Sequence, residues 1–171
     1  MPRADARPKL PPLGAVLDFM RLLWAVDHAL QQTSKRMEGT LGVTGPQRLV
    51  VRIVGRFPGI PAGHLAELLH LHPSTLTGIL ERLQRKGLVA RRPDPRDGRR
   101  ALIGLTPKGR RLDVELEGTL EAAVRKLLAD LPESKVRGAA DVLRGLSASF
   151  EGVTPLISRR AGPNGRGGDG R

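Results

Sequence analysis

The stretch PSTLTGILERLQRKGLVARRPDPRDGRRALIGL, residues 73–105, decides the fold. Pro73 suits the first turn of a helix, where its missing N–H has no intrahelical partner. The residues that follow place apolar side chains on one helix face, at Leu76, Ile79, Leu80 and Leu83. Two short apolar stretches, 88–92 and 101–105, then flank a loop that contains Asp97–Gly98, a pair typical of hairpin turns. The stretch therefore predicts an amphipathic helix followed by a β-hairpin.

Two further helices are predicted upstream of this stretch. Thr44 and Gln47 have the spacing of a capping box, which predicts a helix start. The apolar face of that helix is predicted at Leu49, Val50, Ile53 and Val54. Residues 57–61, FPGIP, end it, and a shorter helix carrying Leu65, Leu68 and Leu69 follows. A tight joint at residues 71–73 then leads into the amphipathic helix, and this order of parts is that of a winged helix-turn-helix.

Long helices flank this core, about residues 44–109. Residues 13–36 have apolar side chains at near-helical spacing, and a second helix is predicted from Thr106–Pro107 continuously to Leu131–Pro132. A last helix carries Val136, Val142, Leu143, Leu146 and Phe150. We thus predict a mainly α domain with a small β-hairpin wing (α+β) over residues 13–150. Residues 1–12 are predicted to be a flexible arm and 151–171 a disordered basic Gly-rich tail.

Composition narrows the choice of partner. The 171 residues carry a formal net charge of +12, which favours nucleic acid. The chain has three Phe, one Trp and no Tyr, too few aromatic side chains for the stacking surfaces of RNA-recognition or single-strand modules, so duplex DNA is the better fit. It has no apolar run of the roughly 18 residues that a membrane span needs, and no secretory signal. We predict a cytoplasmic, nucleoid-associated protein with no membrane association.

Residues on the outward face of the amphipathic helix are candidates for DNA contact. Small hydroxyl side chains near its start and basic ones near its end suit base edges and phosphates. The candidates are Ser74, Thr75, Thr77, Gly78, Arg82 and Arg85. The hairpin segment 91–100 has five Arg against two Asp, and it suits a minor groove. Its candidates for DNA contact are Arg96, Arg99 and Arg100. Asp94 is predicted to hold the Arg96 side chain. Pro93 and Pro95 are predicted to limit the strand ladder.

With these motifs in order, the sequence resembles the multiple-antibiotic-resistance-regulator (MarR) family of bacterial transcription factors. The segments that carry the resemblance are LAEL at 65–68, STLT at 74–77, LERL at 80–83, KGLV at 86–89, DPRD at 94–97 and LTPKG at 105–109.

The resemblance implies a symmetric dimer whose terminal helices, about 13–38 and 106–150, intertwine. It implies that the helix candidates lie in the DNA groove and that Arg96 is the wing arginine. Gly78 departs from the arginine that is commoner there, which leaves one contact in doubt. The family often binds small aromatic or phenolic effectors, so Trp24 and His28, one turn apart, are candidate pocket residues beside the alternative of a core Trp and a surface His.

Other function classes have weaker support. The chain has no Cys and no Tyr, and its four His (28, 64, 70 and 72) resemble no catalytic triad, so we predict no enzyme and no cofactor. His70 and His72 as a zinc pair lack a clear third ligand, so we predict no metal. We predict a DNA-binding regulator, a repressor on a pseudo-palindromic operator, released by an effector. The alternatives are a constitutive DNA binder without an effector pocket and a basic, non-specific nucleic-acid-associated or protein-interaction winged-helix module without an effector.

Overall fold

The computed structural model describes residues 12–97 and 100–151. In chain order the elements are α1 (Ala15–Leu41), α2 (Gly45–Arg56), β1 (Ile60–Pro61), α3 (Ala62–Leu68), α4 (Pro73–Arg85), β2 (Val89–Pro93), β3 (Ala101–Leu105), α5 (Pro107–Leu112), α6 (Leu120–Ala129) and α7 (Glu133–Glu151). Contacts divide the chain into two compact units, Met1–Arg125 and Lys126–Arg171. The predicted mainly α architecture with a small β wing is confirmed.

The first unit has one apolar core beneath α4. Side chains from α2, α3, α4 and the sheet are fully or almost fully buried together, among them Val50, Val54, Leu65, Leu76, Leu80, Leu83, Val89 and Ile103. The predicted inner face of α4 is therefore confirmed. On α2 the prediction was wrong at Leu49, which is 52% exposed, whereas Val51 is buried. Leu68 of α3 is also exposed.

The capping box at the start of α2 is present as predicted. The Thr44 hydroxyl accepts from the backbone N–H of Gln47, and the Gln47 side chain accepts from the backbone N–H of Thr44. α1 runs five residues beyond the predicted end at residue 36 and stops at Gly42, which adopts a left-handed conformation with φ 71°. Glycine carries no Cβ and tolerates this conformation, so it ends the helix cleanly.

The sheet has three strands in the order β1-β3-β2, all antiparallel. The hairpin is confirmed, but β1 was not predicted, since two residues, Ile60 and Pro61, carry no recognisable strand pattern. Pro93 pairs with Ala101 as the last residue of the β2–β3 ladder, so the ladder reaches one residue further than the sequence predicted. A proline is tolerated there because it stands at the end of an edge strand.

The continuous helix predicted over residues 106–131 is broken. α5 ends at Leu112, an irregular segment follows, and α6 begins at Leu120. Gly118, with φ 74°, turns the chain, and the Thr119 hydroxyl accepts from the N–H of Ala122 as a helix cap. The leucines keep helical spacing through the break, so the sequence pattern did not mark it. The side chain of Arg48, on α2, accounts for the break.

The terminal arm and tail predicted at 1–12 and 151–171 fall almost wholly outside the described residues, so those boundaries stay predictions. In the part of the chain that is described, no helix is both long enough and apolar enough to cross a membrane.

Candidate nucleic-acid interface

The outward face of α4 is polar, basic and open to solvent. Ser74, Thr75, Thr77, Arg82 and Arg85 are all exposed, while the opposite face of the helix is buried. Gly78 is half-buried, and a Cβ built there meets no atom within 4 Å. The structure therefore brings the predicted helix candidates together on one accessible surface.

A histidine caps the start of α4, which the sequence did not reveal. The His72 Nδ1 accepts from the backbone N–H of Ser74 at 3.3 Å and lies 2.7 Å from the Ser74 hydroxyl. The Thr77 hydroxyl donates to the carbonyl of Pro73. Histidine is not among the usual capping residues, so no simple pattern marked this role. The cap holds the first turn of α4, where the small hydroxyl residues stand.

Two lysines fix the far end of α4. The Lys86 Nζ donates to the carbonyl of Gly42 at 2.6 Å and to the Gln47 side chain at 3.1 Å, and the Lys108 Nζ donates to the carbonyl of Lys86 at 2.9 Å. Cations at a helix C-terminus also complement its dipole. The end of α4 is thereby tied to the start of α2 and to α5.

The tip of the wing is organised by its two aspartates. The Asp94 Oδ1 accepts from the backbone N–H of Arg96 at 2.9 Å. This contact differs from the prediction that Asp94 holds the Arg96 side chain. Arg100 forms an ion pair with Asp97 at 3.4 Å and is exposed, as is Arg96. Arg99, with Gly98, lies outside the described residues.

A buried arginine explains the break between α5 and α6. Arg48 on α2 is 1% exposed; its Nη1 donates to the carbonyl of Leu112 at 3.0 Å and its Nη2 to that of Val114 at 2.7 Å. Its Nε donates to the carboxylate of Glu121, in the first turn of α6, at 2.5 Å. The last carbonyls of a helix have no intrahelical partner, so Arg48 satisfies that of Leu112, the last residue of α5, and also binds that of Val114 in the segment that follows. No local sequence signal marks this contact.

The environment of Glu121 favours its ionised form. Partial burial raises the pKa of this carboxyl, but the hydrogen bonds from Arg48 and a backbone N–H, together with the charge of Arg48, outweigh burial and leave the pKa below its ordinary value of 4.5. A lowered pKa in the folded state means that the carboxylate stabilises the fold above its ordinary pKa. That stability is lost as the pH falls through the lower, folded-state value.

We therefore expect Glu121→Gln to lose about 1–3 kcal/mol of unfolding free energy at pH 7, because a buried guanidinium loses its counter-charge. The difference from the wild type should shrink as the pH falls below 4.5. Urea unfolding at pH 7 and pH 3.5 measures both values, with the exposed Glu117→Gln as the control. A difference that stays constant with pH would contradict the assigned role.

The candidate effector residues lie on the surface of α1. Trp24 is 64% exposed, and His28 is also exposed, with its Nε2 2.7 Å from the Gln32 side-chain nitrogen. Neither residue lines the groove at the base of the wing, which lies between the sheet and the C-terminal end of α2. Among the described residues, no group of three or more His, Asp or Glu is placed to hold a metal ion.

The family model described as "MarR family" matches residues 41–100, which run from the end of α1 through the wing. The HTH-type transcriptional repressor Rv2887 of Mycobacterium tuberculosis is 28% identical over 127 residues, covering 74% of this chain and 91% of that protein. Over residues 41–100 the chain is similar to the MarR family.

Two further transcriptional regulators are similar to this chain. The organic hydroperoxide resistance transcriptional regulator of Bacillus subtilis is 29% identical over 117 residues, covering 67% of this chain and 80% of that protein. The crystal structure of the PcaV transcriptional regulator of Streptomyces coelicolor, in complex with its natural ligand, matches with a TM-score of 0.64 and 25% identity, over 82% of this chain and 99% of that one. These relatives are transcriptional regulators, and this chain shares the winged helix-turn-helix fold with them.

The structure explains two residues of the MarR-like segment LTPKG, 105–109, namely Thr106 and Gly109. The Thr106 hydroxyl accepts from the N–H of Gly109 as the cap of α5 and donates to the carbonyl of Gly87 at 2.6 Å. A Cβ at Gly109 would lie 2.0 Å from the carbonyl oxygen of Leu88, so only glycine allows this approach. The segment therefore locks α5 against the first residue of the wing.

Proposed function

We propose that the protein is a sequence-specific repressor that binds a pseudo-palindromic operator as a homodimer. The observation that carries the proposal is the α4 surface, where Ser74, Thr75, Thr77, Arg82 and Arg85 are exposed together above a fully packed core. In winged helix-turn-helix proteins this helix enters the major groove, and a dimer places two of them about 34–36 Å apart, one DNA turn. The exposed Arg96 and Arg100 of the wing serve the adjacent backbone or minor groove.

Exposed apolar side chains on the terminal helices support the homodimer. In α1 they include Val16, Leu17, Leu22, Trp24 and Val26, each more than half exposed. In α6 and α7 they include Val124, Leu127, Leu143 and Phe150. Large apolar side chains exposed in such number on the terminal helices favour an interface with a partner. A second copy of the chain covers these helices.

Regulation by a small aromatic or phenolic effector is part of the proposal. Trp24 and His28 are its first candidate contacts, and a ligand that binds the native dimer raises its unfolding temperature. An effector releases DNA only if it binds the DNA-incompetent arrangement more tightly. The role is regulatory rather than catalytic, and a protein that binds chromosomal DNA acts in the cytoplasm at the nucleoid.

Fluorescence-anisotropy titration tests the proposal. The dimer is titrated into the DNA upstream of its own gene and into scrambled DNA, at two salt concentrations. We expect a preference of at least about a thousandfold for the specific sequence. Equal and steeply salt-dependent binding to both DNAs would instead indicate the non-specific nucleic-acid module, or an operator located elsewhere, which a genome-wide selection of bound fragments distinguishes.

The wing contributes affinity through phosphate contacts. We expect Arg96→Ala to weaken operator binding and to lower the slope of log affinity against log salt by about 0.9 for each phosphate that the arginine neutralises. The matched control is Arg144→Ala on α7, an exposed arginine far along the chain from the wing. Unchanged affinity at every salt concentration would remove Arg96 from the interface.

A further inference from the structure

His72 and Ser74 meet at the start of α4, on the surface proposed to face DNA. The His72 Nδ1 lies 2.7 Å from the Ser74 Oγ and 3.3 Å from the Ser74 backbone nitrogen. Both residues are exposed, and within the described chain the His72 ring has no other hydrogen bond or ion pair. A change in the state of the ring therefore acts first on Ser74.

The backbone contact fixes which ring nitrogen of His72 carries the hydrogen. The hydrogen of the Ser74 backbone N–H lies in the peptide plane and is directed at Nδ1, so Nδ1 presents its lone pair. The ring hydrogen of neutral His72 is then on Nε2. The Ser74 hydroxyl stands beside the same lone pair and donates to it. In this state Ser74 has used its only hydroxyl hydrogen within the protein.

Protonation of the ring reverses this hydrogen bond. A cationic imidazole has an N–H at both ring nitrogens and no lone pair with which to accept. Nδ1 then donates to the Ser74 Oγ, and the hydroxyl hydrogen turns outward. Histidine is the side chain that ordinarily changes its charge between pH 5 and pH 8. Toward its surroundings, the Ser74 hydroxyl thus changes from an acceptor to a donor within the physiological range of pH.

DNA favours the donor state of Ser74. Phosphate oxygens accept hydrogen bonds and never donate them, and about half to two-thirds of all protein–DNA hydrogen bonds go to phosphate and sugar. A hydroxyl whose hydrogen is held by His72 presents only lone pairs to such an oxygen. The Thr77 hydroxyl does not depend on the ring, because it donates to the carbonyl of Pro73. Contact with DNA through Ser74 is therefore stronger when the His72 ring is protonated.

No other titratable side chain of the described chain binds the His72 ring. The elements packed mainly against α4 are α2, α3 and β2. The titratable side chains on these elements, in the joint before α4 and on α4 itself are Arg48, Arg52, Arg56, His64, Glu67, His70, Glu81, Arg82, Arg85, Arg91 and Arg92. None of them forms a hydrogen bond or an ion pair with His72. The first carboxylate along α4, that of Glu81, stands about 10 Å along the helix axis from Ser74.

We propose that His72 is a positioning residue for operator binding, and that its protonation turns the Ser74 hydroxyl outward as a hydrogen-bond donor to DNA. The bound state then holds one more proton than the free state. By linkage, operator affinity rises as the pH falls through the range in which histidine titrates. This inference rests on the proposed function, since it concerns how the same α4 surface engages DNA.

Anisotropy titrations of the full chain with operator DNA at pH 6 and pH 8, at one fixed salt concentration, measure this linkage. We expect the wild-type affinity to be at least about fivefold higher at pH 6, where a full proton would give tenfold per pH unit. His72→Asn keeps a capping residue without an ionisable ring, so its affinity should change by about twofold at most. The matched control is His70→Asn, which should keep the wild-type dependence, because asparagine tolerates the positive φ of 50° there.

Ser74→Ala shows whether His72 acts through the hydroxyl. This variant keeps the ring and its charge but has no hydroxyl to turn. An exposed charge screened by salt has a small effect, so the affinity ratio between pH 6 and pH 8 should fall to about twofold or less. A fivefold ratio retained by either His72→Asn or Ser74→Ala would overturn the inference, as would a wild-type affinity that does not change with pH.

The hydrogen bond itself is tested without DNA. Nuclear magnetic resonance of the full chain should place the ring hydrogen of neutral His72 on Nε2, and the Ser74 amide signal should shift with the same midpoint as the His72 ring signals. A neutral ring with its hydrogen on Nδ1, or a Ser74 amide that does not follow the ring, would overturn the switch. If the protein binds no operator, the proposed function fails and the DNA step fails with it, while these resonance data still decide on the switch between His72 and Ser74.

Discussion

Replacing Arg48 by Met should lower the free energy of unfolding by about 3–5 kcal/mol, the range expected when one partner of a buried ion pair is removed. The side chain is 1% exposed and donates to two backbone carbonyls and one carboxylate. Methionine keeps much of the volume but leaves all three acceptors without their donor. Urea unfolding at pH 7 and at a fixed protomer concentration measures the change, since a dimer's stability depends on concentration.

The matched control is Arg52→Met, one turn further along α2. Arg52 pairs with Asp113 but is 29% exposed, so water can replace its contact. We expect a decrease of about 1 kcal/mol or less, as for other partly exposed pairs. Arg48→Lys should fall between the two, because one ammonium cannot reproduce the planar fork of donors. Equal decreases for the two Met variants would show that Arg48 does not organise the α5–α6 break.

Gly109→Ala should destabilise the protein by about 3 kcal/mol, at the upper end of the range for overpacking. The added Cβ would stand 2.0 Å from the carbonyl oxygen of Leu88 and 3.0 Å from its carbonyl carbon. Both are backbone atoms just before β2, so relief requires α5 to move away from the wing. Thermal and urea unfolding measure the effect on stability.

Gly138→Ala provides the control for this substitution. Gly138 lies within α7, and a Cβ there meets no atom within 4 Å. Alanine should therefore stabilise that helix, by up to about 1 kcal/mol from helix propensity alone. If Gly109→Ala were as stable as the wild type, the close packing of α5 on the wing would be wrong.

Much of the DNA-binding lobe was predictable because its signals are local. In the capping box, Thr44 and Gln47, three residues apart, each accept a hydrogen bond from the other's backbone N–H. The buried residues of α4 recur at the helical period. The hairpin was recognisable from its apolar stretches and turn pair. Each of these features depends on residues close together in the chain, so the local sequence pattern predicts it directly.

Other features depend on contacts between residues far apart in sequence. The helix predicted over residues 106–131 has regular leucine spacing, yet the chain leaves the helix after Leu112. The carbonyl of Leu112 accepts a hydrogen bond from Arg48, which lies 64 residues earlier in the sequence. The strand β1 exists only because β3 pairs with it. The His72 cap is local, but its residue type is unusual for that role and gave no signal.

The sequence by itself determined the order of the helix-turn-helix and the wing, the inward and outward faces of α4 and the resemblance to the MarR family, because helical periodicity, capping and turn chemistry act within a few residues. Tertiary structure alone decided where α5 ends, how closely Gly109 approaches Leu88, and that Ala90, Gly104 and Arg110 border one groove. These depend on which backbone groups and side chains meet after the chain has packed, and periodicity holds no information about such distant partners.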